Sequence, residues 1–144
     1  MNSELSEKAK KIVAEQRGNC AQAVFTTYGD FVSSGKVDFD TCMKIASAFG
    51  GGVAHTGSIC GALNGAIMVL GLKYGGSPME EQVNEAAVKL LDEFKALNGT
   101  VICRELINHD LITDADVKHA FDTGAFKNCP KYVEDVSKIL ESLL

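Results

Sequence analysis

Residues 56–76 read T-G-S-I-C-G-A-L-N-G-A-I-M-V-L-G-L-K-Y-G-G, and how this stretch is read decides the fold. A helix that crosses a bilayer needs about 20 consecutive apolar residues. The apolar run from Ile59 to Leu72 is shorter and carries Asn64 in its middle, so it reads as a buried central helix rather than a membrane span. Gly57, Gly61 and Gly65 recur along it at every fourth position. Each glycine inside a helix costs roughly 1 kcal/mol relative to alanine. A helix that accepts this cost along one stripe needs another backbone, or a bulky non-protein group, to come very close. Cys60 stands at its start, which raises the question of whether the other cysteines reach the same place.

Upstream, Leu5, Ala9, Ile12 and Val13 share one face of a helix over 3–16, and Arg17-Gly18 ends it with Gly18 as a left-handed cap. Asn19 and Gln22 form a capping box that makes Cys20 the first residue of a second helix. Asp38 or Asp40 opens a third, with Phe39, Cys42, Ile45, Ala46 and Phe49 along one face, closed by Gly50-Gly51-Gly52. Thr56 or Ser58 then caps the central helix, which puts Cys60 within its first turn or just beyond.

Downstream, Ser77-Pro78-Met79-Glu80 combines an N-cap serine, a first-position proline and a capping-box glutamate, followed by an apolar stripe from Val83 to Leu97. Thr100 caps a short helix over 101–108 with Cys103 in its first turn, and Thr113 with Asp116 forms another capping box. Pro130 opens the last helix, so Cys129 falls at or next to its cap. Nothing alternates as a strand would, and no repeat or linker interrupts the pattern. The expectation is all-α: one domain over 1–144, a compact multi-helix bundle around the central Gly-rich apolar helix.

At 144 residues the chain is long enough to bury a core without staples. Its formal charge of −5 and pI near 5.1 come with no basic stripe, so nucleic acid is not an expected partner. The start, M-N-S-E-L-S-E-K-A-K-K, has neither an apolar signal core nor a twin-arginine pair, which sets the expectation of a cytoplasmic protein. Thiols are kept reduced there, and cysteines more often signal metal or redox chemistry than structural disulfides.

Four of the five cysteines, Cys20, Cys60, Cys103 and Cys129, sit in or close to the first turn of an expected helix. Free amide N–H groups and the positive end of the helix dipole favour negative charge there, lowering the thiol pKa. The same amides can donate to cluster sulfides and ligand sulfurs. Cys42 lies on an apolar face and reads as a small core residue. The spacings match no short motif such as C-x-x-C, so spacing by itself does not bring the four together. Gly57, Gly61 and Gly65 equally allow simple close packing of helices.

His55 lies just before Cys60 and could join a site or serve a loop; His109 and His119 fall on a turn and a helix surface. Asn64 lies near Cys60 along the central helix, and Arg104 follows Cys103, where its charge could offset a thiolate. No phosphate-binding glycine loop, nucleophile elbow or H-E-x-x-H pattern is present.

G-N-C-A-Q-A-V around Cys20, C-G-A-L-N-G from Cys60, C-R-E-L-I from Cys103 and the lone Cys129 together resemble the C_GCAxxG_C_C family, whose members are described as redox-active. The resemblance runs from about Cys20 to the last helix and leaves Cys42 outside. It implies that the four cysteines converge, and the similarity of this family to a helical domain of the split-Soret cytochromes implies an iron–sulfur centre. Unlike those proteins, the chain has no C-x-x-C-H haem motif, so no haem is expected.

Three functions remain open at this point. The first is an electron-transfer or redox-sensing protein holding an iron–sulfur cluster on four thiolates. The second is a metal-free thiol–disulfide protein. The third is a structural zinc site or an interaction module for a transporter or oxidoreductase. The redox partner is not readable, and an apolar helix face leaves room for a homodimer that no residue fixes.

Overall fold

The computed structural model describes residues 3–77, 79 and 81–144, and among them the chain is all-α. Its helices are α1 (Ser3–Ala14), α2 (Cys20–Ser33), α3 (Phe39–Ile45), α4 (Gly61–Tyr74), α5 (Glu81–Asn98), α6 (Cys103–Leu106), α7 (Asp114–Asp122) and α8 (Cys129–Leu143). The expected cap of α5 falls partly on Pro78 and Glu80, which lie outside the described residues. Among the described residues no helix is long and apolar enough to cross a membrane.

Helix α4 is the centre of the bundle. It is apolar on nearly every side because α2, α5 and α8 all pack on it, which buries Ala62, Leu63, Ala66, Val69 and Leu70 completely. Its glycines are there for a neighbouring backbone. A Cβ on Gly61 would stand 2.7 Å from the Phe49 carbonyl oxygen, and one on Gly65 would stand 2.7 Å from the Ala21 carbonyl oxygen. Helix α2 therefore lies directly against α4, at a distance larger residues would forbid. Gly57 is not part of this stripe. It precedes the helix in a turn with φ of +75°, and α4 begins only at Gly61, with Cys60 itself as N-cap in place of Thr56 or Ser58.

Two other boundaries differ from the sequence reading. Helix α1 closes through Gln16 in the left-handed region (φ 56°), while Gly18 is small because Ile12 Cγ2 and the Gln22 Cβ would meet its side chain at 3.1 and 3.3 Å. Helix α3 stops at Ile45, short of Phe49. The chain then makes an unusual turn in which Gly51, Gly52, Val53, Ala54 and His55 all have φ between 50° and 71°. Such a conformation costs an L-residue roughly 1–2 kcal/mol. Hydrogen bonds offset it: the Ala54 amide donates to the Ala48 carbonyl (2.6 Å), Gly57 to Gly51 (3.0 Å) and Ser58 to Gly52 (2.9 Å).

A smaller apolar group joins Cys103, Leu111 and Ala120 with Ile107, Val117, Ala125 and Phe126 beside the main core. Cys42 is fully buried in the main core, where its thiol donates to the Val37 carbonyl at 3.7 Å.

Candidate four-cysteine site

Each of the four cysteines is placed by local chemistry. Cys20 opens α2 behind a complete capping box, in which Asn19 Oδ1 accepts from the Gln22 amide (2.8 Å) and Gln22 Oε1 from the Asn19 amide (2.9 Å). The same two side chains fasten the helix start to the segment around α3, donating to the carbonyls of Ser47 (3.1 Å) and Met43 (3.0 Å). Cys129 opens α8, with Pro130 next to it pre-set for the first turn.

Cys60 and Cys103 are placed by the one β-type contact among the described residues, an antiparallel bridge between Ile59 and Ile102. The Cys60 amide donates to the Val101 carbonyl (2.9 Å) and the Cys103 amide to the Ser58 carbonyl (2.6 Å). Side chains alternate across such a pair, so both cysteines share the face opposite the isoleucines. Helix α6 itself is a single turn starting at Cys103, with Ile102 as N-cap; Thr100 Oγ1 accepts from the Ile102 amide at 3.1 Å instead of capping the helix.

The four thiols interact with one another. The Cys20 and Cys129 thiols act on each other, and Cys60 and Cys103 both act electrostatically on Cys20. Cys103 in turn feels Cys60 and Cys129. Cys60, Cys103 and Cys129 are buried and Cys20 half-buried, and all five cysteines of the chain are unpaired as disulfides.

Their acidity departs from the helix-start expectation. Burial pushes Cys60 up to about 11, although the nearby backbone amides of Ala62 and Leu63 pull the other way. Burial, then the nearby Cys60 and Cys129, pushes Cys103 up to about 12. Cys129 alone lies below the usual thiol value, because the neighbouring Cys20 thiol favours its thiolate; Cys20 accordingly keeps its proton well above that value. Desolvation outweighs the helix-start amides wherever no partner supplies a proton. Among the described residues, no group of three or more His, Cys, Asp and Glu side chains is gathered closely enough to hold one metal ion.

The neighbours singled out by sequence have distinct places. Asn64 Nδ2 donates to the Ile59 carbonyl (3.1 Å), and Arg104 Nη1 to the Gly57 carbonyl (3.3 Å), so both brace the backbone leading to Cys60. His55 packs edge-on against Phe121 and Phe126, with centroids at 5.3 and 6.1 Å. His109 and His119 hydrogen-bond each other at 2.8 Å.

Sequence reading missed Tyr132. It follows Cys129 by three positions on α8, hence on the same face, and Cys129 and Cys60 both act on its hydroxyl, which donates to the Leu106 carbonyl at 3.0 Å. Its helical spacing from Cys129 was the available signal.

The family described as "Putative redox-active protein (C_GCAxxG_C_C)" matches residues 18–143, and the chain belongs to it. Searches among curated proteins and among solved structures found no match.

Proposed function

We propose that Cys20, Cys60, Cys103 and Cys129 form one redox centre that holds an iron–sulfur cluster for electron transfer or redox sensing. The observation that carries this reading is the mutual interaction of four thiols delivered by four separate elements. Neutral thiols are poor ligands, and burial keeps Cys60 and Cys103 neutral at pH 7. A metal centre would supply the positive charge that makes four buried thiolates tolerable. The amides of Ala62 and Leu63 favour negative charge on the Cys60 sulfur, as a ligand sulfur requires.

An iron–sulfur cluster, when bound, would accept and release single electrons. A cytoplasmic, reducing location fits free thiols.

The opposite effects of Cys20 and Cys129 on each other's acidity favour one second reading, a metal-free dithiol. The Cys129 thiolate would attack a partner disulfide and expel its first thiolate. Cys20 would then attack the Cys129 sulfur and expel the second, leaving the partner reduced and the pair oxidised.

One experiment separates the two. Protein prepared without oxygen and supplied with ferrous iron and sulfide should bind both and become brown, and Cys60→Ser should lose the colour. A colourless, iron-free product refutes the cluster. A Cys20–Cys129 disulfide that forms with mild oxidant, persists in Cys60→Ser and is absent from Cys129→Ser would establish the dithiol instead.

A further inference from the structure

A cleft of ≈ 710 Å³ opens beside this centre, and Cys129 is the one thiol of the four that lines it. Its size lies within the ordinary range for small-molecule sites, about 300–1,000 Å³. Its lining differs in charged residues from the molecule as a whole. The chain carries 19 acidic against 14 basic residues, yet the cleft lining contains Arg17, Lys127 and His55 and not one aspartate or glutamate. Arg17 is engaged with Glu15 only through Nε, at 3.0 Å, so the rest of its guanidinium fork is free to bind an anion.

One wall is aromatic. Phe121 and Phe126 pack at a tilt with centroids 4.9 Å apart, and His55 adds its ring edge-on to both. Phe121 nevertheless remains 58% exposed, an apolar face left open to a further flat ring. The imidazole stands there because the left-handed turn at residues 51–55 carries it.

We propose that this cleft binds a planar aromatic anion of the flavin-nucleotide class, its ring against Phe121 and its anionic group between Arg17 and Lys127. This rests on the four-cysteine redox reading for its purpose: the ligand would exchange electrons with the centre through the Cys129 sulfur, the wall they share. A reduced ring would lose one electron, and the oxidised centre would gain it. The binding itself depends on the cleft and not on the state of the thiols.

The test uses flavin mononucleotide as the probe, titrated into the 144-residue protein and followed by quenching of flavin fluorescence. Saturable one-to-one binding is expected, weakening by about tenfold in Arg17→Ala/Lys127→Ala, as two exposed ion pairs imply. Phe121→Ala should weaken it as well, and riboflavin, which has the ring without the phosphate, should bind about tenfold more weakly than the nucleotide. Cys20→Ser should bind like the parent even where it has lost redox activity, so failure of the redox reading and failure of this one are separable. Absence of saturable binding, or affinity indifferent to both the cation and Phe121 substitutions, overturns the proposal. So does displacement of flavin mononucleotide by inorganic phosphate alone at equal concentration, which would leave the ring no part, or competition by an acidic peptide with equal affinity, which would make the cleft a protein-docking surface.

Discussion

Cys60 and Cys103 are diagonal neighbours across a two-stranded bridge: the Cys60 amide donates to the Val101 carbonyl at 2.9 Å and the Cys103 amide to the Ser58 carbonyl at 2.6 Å. Two cysteines far apart in the chain are thus registered by backbone hydrogen bonds, which hold position more firmly than side-chain packing alone. Cys20 and Cys129 are registered differently, each as the first residue of a long helix. The site is the meeting of one bridge and two helix starts.

The bridge should fail when Gly52 acquires a side chain. A Cβ there would stand 2.5 Å from the Ser58 amide nitrogen, 2.6 Å from the Ser58 carbonyl oxygen and 2.7 Å from the Cys103 Cβ, at a φ of +71°. Left-handed strain and overpacking together amount to roughly 2–5 kcal/mol. Gly52→Ala is expected to lose that much in denaturant unfolding and to expose the Cys60 and Cys103 amides to hydrogen exchange. Gly99→Ala, also at positive φ but with open space around it, should lose only the strain. Equal losses in the two variants would count against the bridge as the support of Cys103.

The central helix offers a paired test of close packing. Gly61→Leu forces a side chain into the Phe49 carbonyl and the start of α2, so the loss should exceed the usual 1–3 kcal/mol of overpacking and disturb the site around Cys60. Gly71 lies on the same helix with nothing within 4 Å of its would-be Cβ. Gly71→Ala should instead stabilise by about 0.5–1 kcal/mol through helix propensity. A Gly61→Leu variant that melts with the parent and keeps its cofactor or disulfide would make the stripe incidental.

Reduced, metal-free protein should titrate its thiols in a definite order. Cys129 is expected to ionise first, below the ordinary thiol value of 9.0; Cys60 follows at about 11 and Cys103 at about 12. Cys20→Ser leaves a serine hydroxyl, a weaker partner for the thiolate, so Cys129 should move upward. For Cys60 and Cys103 the folded pKa exceeds the unfolded one. Their stabilising contribution is therefore complete below pH 9 and lost as pH rises through 11 to 12, at up to roughly 1.4 kcal/mol per pH unit for each. Alkylation rates mapped by mass spectrometry give the order, and denaturant unfolding above pH 9 gives the sign. A stability that rises across that window would refute it.

The helices and the cysteines were legible in the sequence because their signals are local. The Asn19–Gln22 and Thr113–Asp116 capping boxes form as expected, with the cysteines at or beside helix starts. The register of the central helix was not legible, because T-G-S-I before Cys60 offers two cap-like residues, and the bridge to Ile102 that claims this segment is long-range. Gly57 looked like helix spacing for the same reason. The thiol acidity was misjudged because helix-start amides can be read from sequence and burial cannot. His55 and its aromatic neighbours came together through a left-handed turn that includes Val53, a residue type that sequence rules assign to extended structure.

Tyr132 gives the last test. Its hydroxyl donates to the carbonyl of Leu106, the last residue of α6, whose first residue is Cys103; Tyr132 itself sits one turn after Cys129. The bond thus ties a single-turn helix, too short to hold itself, to the helix that carries the Cys20 partner. Tyr132→Phe keeps the ring edge-on to Phe94, at a centroid distance of 6.1 Å, and removes only the bond, at a cost of about 1 kcal/mol. Helical content should stay unchanged, amide exchange should quicken in α6, and Cys103 should ionise closer to its ordinary value as water reaches it. Tyr132→Leu should cost more, since it also removes the ring contact. If α6 exchanges no faster in Tyr132→Phe than in the parent, then the Ile59–Ile102 bridge alone holds Cys103, and the tyrosine acts only as packing.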